Sequence, residues 1–249
     1  MTPLIIAHRG DSANRPENTL ASFKSALDLG ADLLELDVQL TKDRHVVVIH
    51  DPSVERTTDG NGLVAEMTLA TIRKLSAGYS ERFGDRYTAE KVPTLAEVLT
   101  LARGRARVMI EIKKESVSED ENEDGIEGRS IAAVREARME KNVLLISFDR
   151  RALRRVQKFA PEIPRGHLFY RASPEEVVEG AKEVETDLVM PEKGMLSDEL
   201  TSAARAAGVK VATWVVDEVE ELKDLARFDL FGVGSNRPGA LLDAIWASE

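Results

Sequence analysis

Residues 33–50 read LLELDVQLTKDRHVVVIH. Leu, Val and Ile dominate both ends of this stretch, as they do in strands buried on both faces. Yet Glu35 and Asp37 interrupt the first apolar run, and His50-Asp51 closes the second. Successive side chains on a strand alternate sides, so Glu35 and Asp37 project one way while Leu34, Leu36 and Val38 project the other. Only seven residues separate Val38 from Val46. A parallel pairing needs a crossover longer than that, so the two runs are expected to form a hairpin. A turn centred on Asp43-Arg44 makes paired residue numbers sum to 87 and sets Asp37 opposite His50. Cross-strand pairs have Cβ atoms about 5 Å apart, so the hairpin would bring carboxylates and imidazole together.

Outward from this hairpin, short apolar runs alternate with helix-like stretches. Strands are expected at Leu4–His8, Leu33–Val38, Val46–His50, Arg107–Ile112, Val143–Phe148, Gly166–Phe169, Leu188–Met190, Lys210–Val216 and Leu230–Gly234. Among the helices, NTLASFKSALDLG (18–30) begins with Asn18 or Thr19 as its cap and has Gly30 after its last turn. DRRALRRVQKFA (149–160) and SDELTSAARAAG (197–208) read similarly. Such alternation indicates βα units and a parallel sheet. Setting aside the hairpin arm leaves eight strands, the number in a (β/α)8 TIM barrel, and 249 residues suit one such domain over 1–249. Residues 52–106 break the rhythm with Pro52, Asp59-Gly60-Asn61-Gly62, Gly78 and Pro93, and are expected to form a small loop-rich insertion. Short helices are placed there at TLATIRKL and TLAEVLTLA. The acidic ESVSEDENEDGIEG (115–128) lacks the spacing of an EF-hand and reads as a solvated loop leading into a helix.

Composition narrows the function. Forty-four acidic residues against 34 basic ones give a net charge of −10, which argues against general nucleic-acid binding. An anionic substrate would have to be drawn in by local positive charge. There is no cysteine, hence no disulfide, thiolate metal site or cysteine nucleophile. No apolar run is long enough to span a membrane, and the start MTPLIIAHRG lacks the form of a signal peptide. A cytoplasmic location is the expectation, and the sequence does not specify an oligomeric state.

The strand ends carry the chemistry. Glu111 and Lys113 share one face of RVMIEIK, with Ile110 and Ile112 on the other. Carboxylates inside a barrel require a counter-ion or a metal, and the hard oxygens of Glu35, Asp37 and Glu111 suit Mg²⁺ or Ca²⁺. Salt bridges to Lys113 or Arg9 are the structural alternative. His8-Arg9-Gly10 ends the first strand, on the face where barrel active sites form. Arg9 offers a fork of donors suited to phosphate, Lys113 adds a second positive charge, and His8 and His50 can exchange protons near neutral pH. Trp214 and Asn236 read equally well as packing and turn residues.

Taken together, HRGDSANRPENTLASF (8–23), ELDVQLTKD (35–43), VVVIHDPSVERTTDGNG (46–62), MIEIKKE (109–115), ISFD (146–149), ATWVVD (212–217) and GVGSNRPG (232–239) resemble the glycerophosphodiester phosphodiesterase family. The resemblance spans nearly the whole chain. It implies a (β/α)8 barrel with an insertion after His50-Asp51 and one divalent cation on Glu35, Asp37 and Glu111. It implies His8 and His50 as the acid/base pair, with His8 read as base and His50 as acid. Arg9 and Lys113 carry over as phosphate-side residues, and Glu17, Asn18 and Trp214 as site-lining ones. The implied reaction cleaves a glycerophosphodiester to glycerol 3-phosphate and an alcohol, with water or the glycerol 2-hydroxyl as nucleophile. A lysophospholipid or other lipid phosphodiesterase of the same superfamily is the near alternative, and a non-catalytic phosphate-binding barrel is the distant one. The sequence departs from the family pattern at Arg44, where the turn usually carries Gly, and at Ser235-Asn236-Arg237-Pro238, which usually reads Thr-Asp-Arg-Pro. The insertion also lacks an aromatic-rich surface for lipid.

Overall fold

The computed structural model describes residues 2–247. One sheet contains β1 (Leu4–His8), β2 (Leu33–Leu40), β3 (Val46–Val48), β4 (Arg107–Ile112), β5 (Val143–Ser147), β6 (Arg165–Phe169), β7 (Leu188–Pro191), β8 (Lys210–Trp214) and β9 (Gly232–Ser235). All but β3 pair in parallel, and β1 closes the ring by pairing with both β2 and β9. An outer helix follows every barrel strand. These helices span Leu20–Asp28, Leu95–Ala102, Ile126–Ala137, Arg150–Phe159, Pro174–Glu183, Asp198–Ala206, Val219–Leu225 and Pro238–Trp246. The expected (β/α)8 barrel is therefore present, with β3 added to it. Among the described residues, no helix is long and apolar enough to cross a membrane.

Alternation along the strands builds two cores. Leu34, Leu36, Val38, Ile110 and Ile112 face outward and pack with Phe23, Leu99 and Val134 of the helices. Ile6, Leu33, Met109, Ile146, Leu168 and Met190 fill the barrel interior. Two residues further along the same inner faces come His8 after Ile6, Glu35 after Leu33, and Glu111 after Met109. The apolar plug and the polar rim are thus successive layers of the same strands.

The hairpin is antiparallel, as expected, but its register is one residue off the sequence-based one. Val38 pairs with Val48, Gln39 with Val47 and Leu40 with Val46. Asp37 consequently faces Ile49, whose N–H donates to the Asp37 carbonyl at 3.0 Å. The cause is the turn. Thr41 N–H donates to His45 O and Arg44 N–H to Thr41 O, both at 3.0 Å, so the loop is the three residues 42–44 rather than a two-residue turn. Its third residue, Arg44, adopts φ 65°, the left-handed conformation that such loops need and that usually selects Gly. Val47 and Ile49 pack with Val54, Val64, Ile72, Ala77 and Val92, a small separate core under the loops after β3. The helix Leu95–Ala102, by contrast, buries Leu95, Val98, Leu99 and Ala102 in the main barrel core.

Local capping follows the side-chain chemistry. Thr19, not Asn18, caps the first helix, its Oγ1 accepting from Ser22 N–H. Thr94 and Ser173 form capping boxes with Glu97 and Glu176. The acidic stretch is largely exposed but anchored. Buried Arg155 donates to the carbonyls of Ser118 and Glu119 at 2.9 and 3.0 Å and to the Glu127 carboxylate at 3.1 Å. Lys158 and Arg151 add ion pairs to Glu121 and Glu119.

Gly10 is the tightest point between β1 and the first helix. A Cβ there would lie 2.4 Å from Ser22 Oγ and 2.7 Å from the Ser22 carbonyl carbon, and φ is +83°. At Gly104, φ is +76° but nothing lies within 4 Å of a Cβ. Gly104→Ala should therefore lose only the conformational cost of about 1–2 kcal/mol, while Gly10→Ala should lose more because the backbone must also move. Denaturant unfolding of the two variants checks this ranking; equal losses would contradict it.

Candidate active site

The rim layer gathers its charges through strand register. His8 lies opposite Glu35 on β1 and β2, and Asp37 lies opposite Glu111 on β2 and β4. One carboxylate oxygen from each of Glu35, Asp37 and Glu111 falls within 4.8 Å of the others, and all three residues are buried. Two cations face them. Arg9 adopts φ 57°, which aims its backbone N–H at Glu35 Oε2 at 3.0 Å, while its Nε lies 3.1 Å from Asp37 Oδ2. Lys113 Nζ lies 2.7 Å from Glu111 Oε1 and 3.5 Å from Asp37 Oδ1. The salt bridges of the structural alternative therefore exist, yet three carboxylates oppose two cations.

The remaining negative charge shows in the protonation equilibria. Burial, reinforced by the Asp37 and Glu111 charges, pushes Glu35 well above the usual carboxylate range. Burial and the Asp37 charge push Glu111 up to about 7, against the opposing pull of Lys113. Burial would raise Asp37 too, but Arg9, Lys113, His50 and an Asn18 hydrogen bond outweigh it and hold Asp37 below its ordinary value. Asp37 Oδ1 has no hydrogen-bond partner. Clustered hard oxygens, excess negative charge and a buried carboxylate oxygen without a hydrogen bond fit a divalent cation of the Mg²⁺ or Ca²⁺ class.

The two histidines are held differently. His8 Nδ1 lies 2.7 Å from Asn236 Oδ1, and burial together with the Arg9 guanidinium pushes its pKa down to about 4. His50 Nδ1 lies 2.6 Å from Asp51 Oδ1. Arg56, from the loops after β3, bonds Asp51 at 2.6 Å through Nε and grips Glu17 at 2.8 and 2.9 Å. Glu17 in turn bonds Arg9 at 2.9 Å. A continuous chain of ion pairs therefore runs from His50 through Asp51, Arg56, Glu17 and Arg9 to Asp37.

His8, Arg9, Glu35, His50, Glu111, Lys113 and Trp214, all singled out in the sequence, line one cavity of ≈ 130 Å³. Asp37, Asn18 and Glu17 do not line it. Asn18 is buried behind Asp37 and donates to its Oδ2 at 2.8 Å, from a backbone at φ 58°. Glu17 supports Arg9 from the side. Trp214 Nε1–H donates to Met190 O at 3.0 Å, which fixes the ring at the cavity wall. Arg56, Asp51 and Asp217 are site residues that the sequence did not single out, and Asn236 was read as a turn residue; the His50-Asp51 dipeptide and the departure at 235–238 were the visible signals among them. Phe148 and Tyr170 were not singled out either. These two rings and Trp214 border an outer trough of ≈ 580 Å³ that shares Glu111 and Lys113 with the cavity.

Cation binding requires Glu35 and Glu111 as carboxylates. In the cation-free protein Glu111 titrates at about 7 and Glu35 well above its ordinary value, so protons must leave when a cation enters. Affinity for Mg²⁺ or Ca²⁺ should weaken as pH falls through this range. Calorimetric titrations at neutral pH in two buffers of different ionisation heat should give different apparent enthalpies. Identical enthalpies would show that no proton is released.

The model of the glycerophosphoryl diester phosphodiesterase family matches residues 8–240. A glycerophosphodiester phosphodiesterase of Caldanaerobacter subterraneus subsp. tengcongensis is 41% identical over 246 residues, covering 98% of this chain and 98% of the relative. The structure of an Oleispira antarctica phosphodiesterase in complex with the product sn-glycerol-3-phosphate superimposes with a TM-score of 0.84 at 31% identity, covering 98% of this chain and 97% of that one. The crystal structure of a glycerophosphodiester phosphodiesterase from Agrobacterium tumefaciens gives a TM-score of 0.83 at 30% identity, covering 97% and 99%. Likeness of this extent sets aside the non-catalytic barrel. With nearly the whole chain inside the family match and a relative so similar along almost its full length, the protein belongs to the glycerophosphodiester phosphodiesterase family and is a phosphoric diester hydrolase.

Proposed function

We propose that the protein hydrolyses glycerophosphodiesters to glycerol 3-phosphate and an alcohol in a cation-dependent reaction, with His8 and His50 as its proton carriers. The observation that carries this reading is the shared cavity: His8, His50, Glu35, Glu111, Arg9 and Lys113 line a single space, and Asp37 lies buried against it within reach of the other two carboxylates. The product seen in the Oleispira antarctica phosphodiesterase supports glycerol 3-phosphate as the retained fragment.

Glu35, Asp37 and Glu111 would hold Mg²⁺ or Ca²⁺. Such a cation supplies charge stabilisation at a non-bridging phosphate oxygen and acidifies a bound hydroxyl. Arg9 and Lys113 stabilise the negative charge that grows on phosphorus-bound oxygens during displacement. His8, with a neutral amide as partner and a guanidinium beside it, stays uncharged and accepts the proton of the attacking hydroxyl, either water or the glycerol 2-hydroxyl, the latter giving a cyclic phosphate that water then opens to glycerol 3-phosphate. His50 donates a proton to the departing alkoxide as its bond to phosphorus breaks. A carboxylate partner, Asp51, suits a ring that carries positive charge.

The alcohol leaves toward the trough at Phe148, Tyr170 and Trp214, where Phe148 and Tyr170 are 37% and 56% exposed. These rings sit on the loops after β5 and β6, not on the insertion. Their exposure favours a second reading, in which these rings instead take the acyl chain that a lysophospholipid carries on its glycerol fragment.

Product analysis on glycerophosphocholine, glycerophosphoethanolamine and lysophosphatidylcholine, after chelation and with Mg²⁺ or Ca²⁺ restored, separates the two readings. Glycerol 3-phosphate from the first two substrates, lost on chelation, is expected. Full activity after chelation and dialysis would contradict cation dependence. His8→Ala and His50→Ala should each lower kcat by about 10²–10⁴-fold on glycerophosphocholine. A glycerol phosphodiester with a nitrophenolate leaving group needs no general acid, so it should rescue His50→Ala and not His8→Ala. The reverse pattern would exchange the two roles, and a wild-type kcat in either variant would remove that histidine from the reaction.

A further inference from the structure

The loop after β9 carries Ser235-Asn236-Arg237-Pro238, one of the two places where the sequence departs from the family pattern. A turn residue at 236 would need no particular side-chain partners, but Asn236 has three. Its Nδ2 lies 2.9 Å from Asp217 Oδ2, its Oδ1 lies 2.7 Å from His8 Nδ1, and Ser12 Oγ lies 2.9 Å from the same Oδ1. Its backbone N–H also donates to Asp217 Oδ1 at 2.7 Å, and Ser235 Oγ adds a bond to that oxygen at 3.1 Å. Nor does this side chain cap the following helix Pro238–Trp246, which has no side-chain cap.

The donor inventory fixes the orientation. An ionised carboxylate only accepts, so the edge of Asn236 that meets Asp217 is its NH₂ group. The opposite edge is then a carbonyl oxygen, which also only accepts. Ser12 has one hydroxyl proton and a second acceptor in His8 O at 2.8 Å. The short contact between Asn236 Oδ1 and His8 Nδ1 therefore requires the ring proton on Nδ1. In a neutral imidazole that leaves the lone pair on Nε2.

We propose that Asn236, clamped by Asp217, is a positioning residue that holds the proton of His8 on Nδ1 and so makes Nε2 the proton-accepting atom; the proposal rests on the reading of His8 as the general base. Two constraints follow from one side chain: the tautomer is set and the ring plane is fixed at the cavity wall. Carboxylate partners do this work in many histidine bases. Here an amide does it without adding charge next to the carboxylate triad, and the carboxylate stands one bond further out, at Asp217.

Nitrogen-15 spectra of the four histidines, with His8 assigned by comparison with His8→Ala, read the tautomer directly in the wild-type protein. A neutral His8 with its proton on Nδ1 and a bare Nε2 is expected; a proton on Nε2 overturns the proposal. Asn236→Leu keeps much of the volume and removes the acceptor. It should lose the tautomer preference and lower kcat by about 10–100-fold while KM changes by less than about threefold. The paired exchange Asn236→Asp with Asp217→Asn keeps both bonds, interchanging donor and acceptor only between 236 and 217 while residue 236 still accepts from His8, and should recover kcat to within about fivefold of wild type. Wild-type kcat in Asn236→Leu, or an exchange no better than the single substitution, overturns the assignment. The wild-type spectrum decides the matter alone if a variant does not fold. His8→Ala with unchanged kcat would instead remove the general-base reading itself.

Discussion

Glu35, Asp37 and Glu111 stand on adjacent inner strand faces, where the barrel wall keeps out most of the water that would screen them. Arg9 and Lys113 neutralise two of the three charges. Removing either cation would leave a buried carboxylate unpaired, a loss of about 3–5 kcal/mol for a buried pair. The third charge is left for a cation, a protonated carboxyl, or both in turn. Much of the neighbouring architecture serves to hold these groups still. Asn18 takes a left-handed backbone conformation to reach Asp37, and Arg9 takes another to present its N–H to Glu35. Backbone strain of about 1–3 kcal/mol per residue persists where surrounding contacts enforce it.

The loops after β3 join this arrangement through one residue. Arg56 binds Asp51 and Glu17 together, and so couples the orientation of His50 to the placement of Arg9. The small core around Val54, Val64 and Ile72 gives those loops their own rigidity. The orientation of His50 and the placement of Arg9 are thereby set by one ion-pair chain, and His8 is held by a separate hydrogen-bonded chain through Asn236 and Asp217.

The barrel was legible because strand alternation and strand count are short-range properties of the sequence. The placement of Glu35, Asp37 and Glu111 on inner faces followed from the same alternation. The hairpin register was not legible, because it depended on whether the turn held two or three residues. Arg44 at φ 65° decided that, and its side chain gives no sign of a left-handed backbone. Asn18 looked like a helix cap because Asn and Thr cap equally well in isolation; the pull of Asp37 on its amide is a long-range contact. Arg56, Asp217 and Asn236 were passed over for the same reason. Arg56 reaches Glu17, Asp217 reaches Asn236 and Asn236 reaches His8, all distant in sequence, and nothing local in DPSVERTT or SNRPG marks those contacts.

The chemistry proposed for this cavity depends on the carboxylate triad as a cation site. Anomalous diffraction from crystals equilibrated with Ca²⁺ tests it directly. The expected result is one strong peak bonded to oxygens of Glu35, Asp37 and Glu111 at about 2.3–2.6 Å, with Lys113 displaced from its contact with Glu111. A peak bound elsewhere, with Lys113 still paired to Glu111 and the triad unchanged at saturating Ca²⁺, would contradict it and leave the three carboxylates as a salt-bridge cluster.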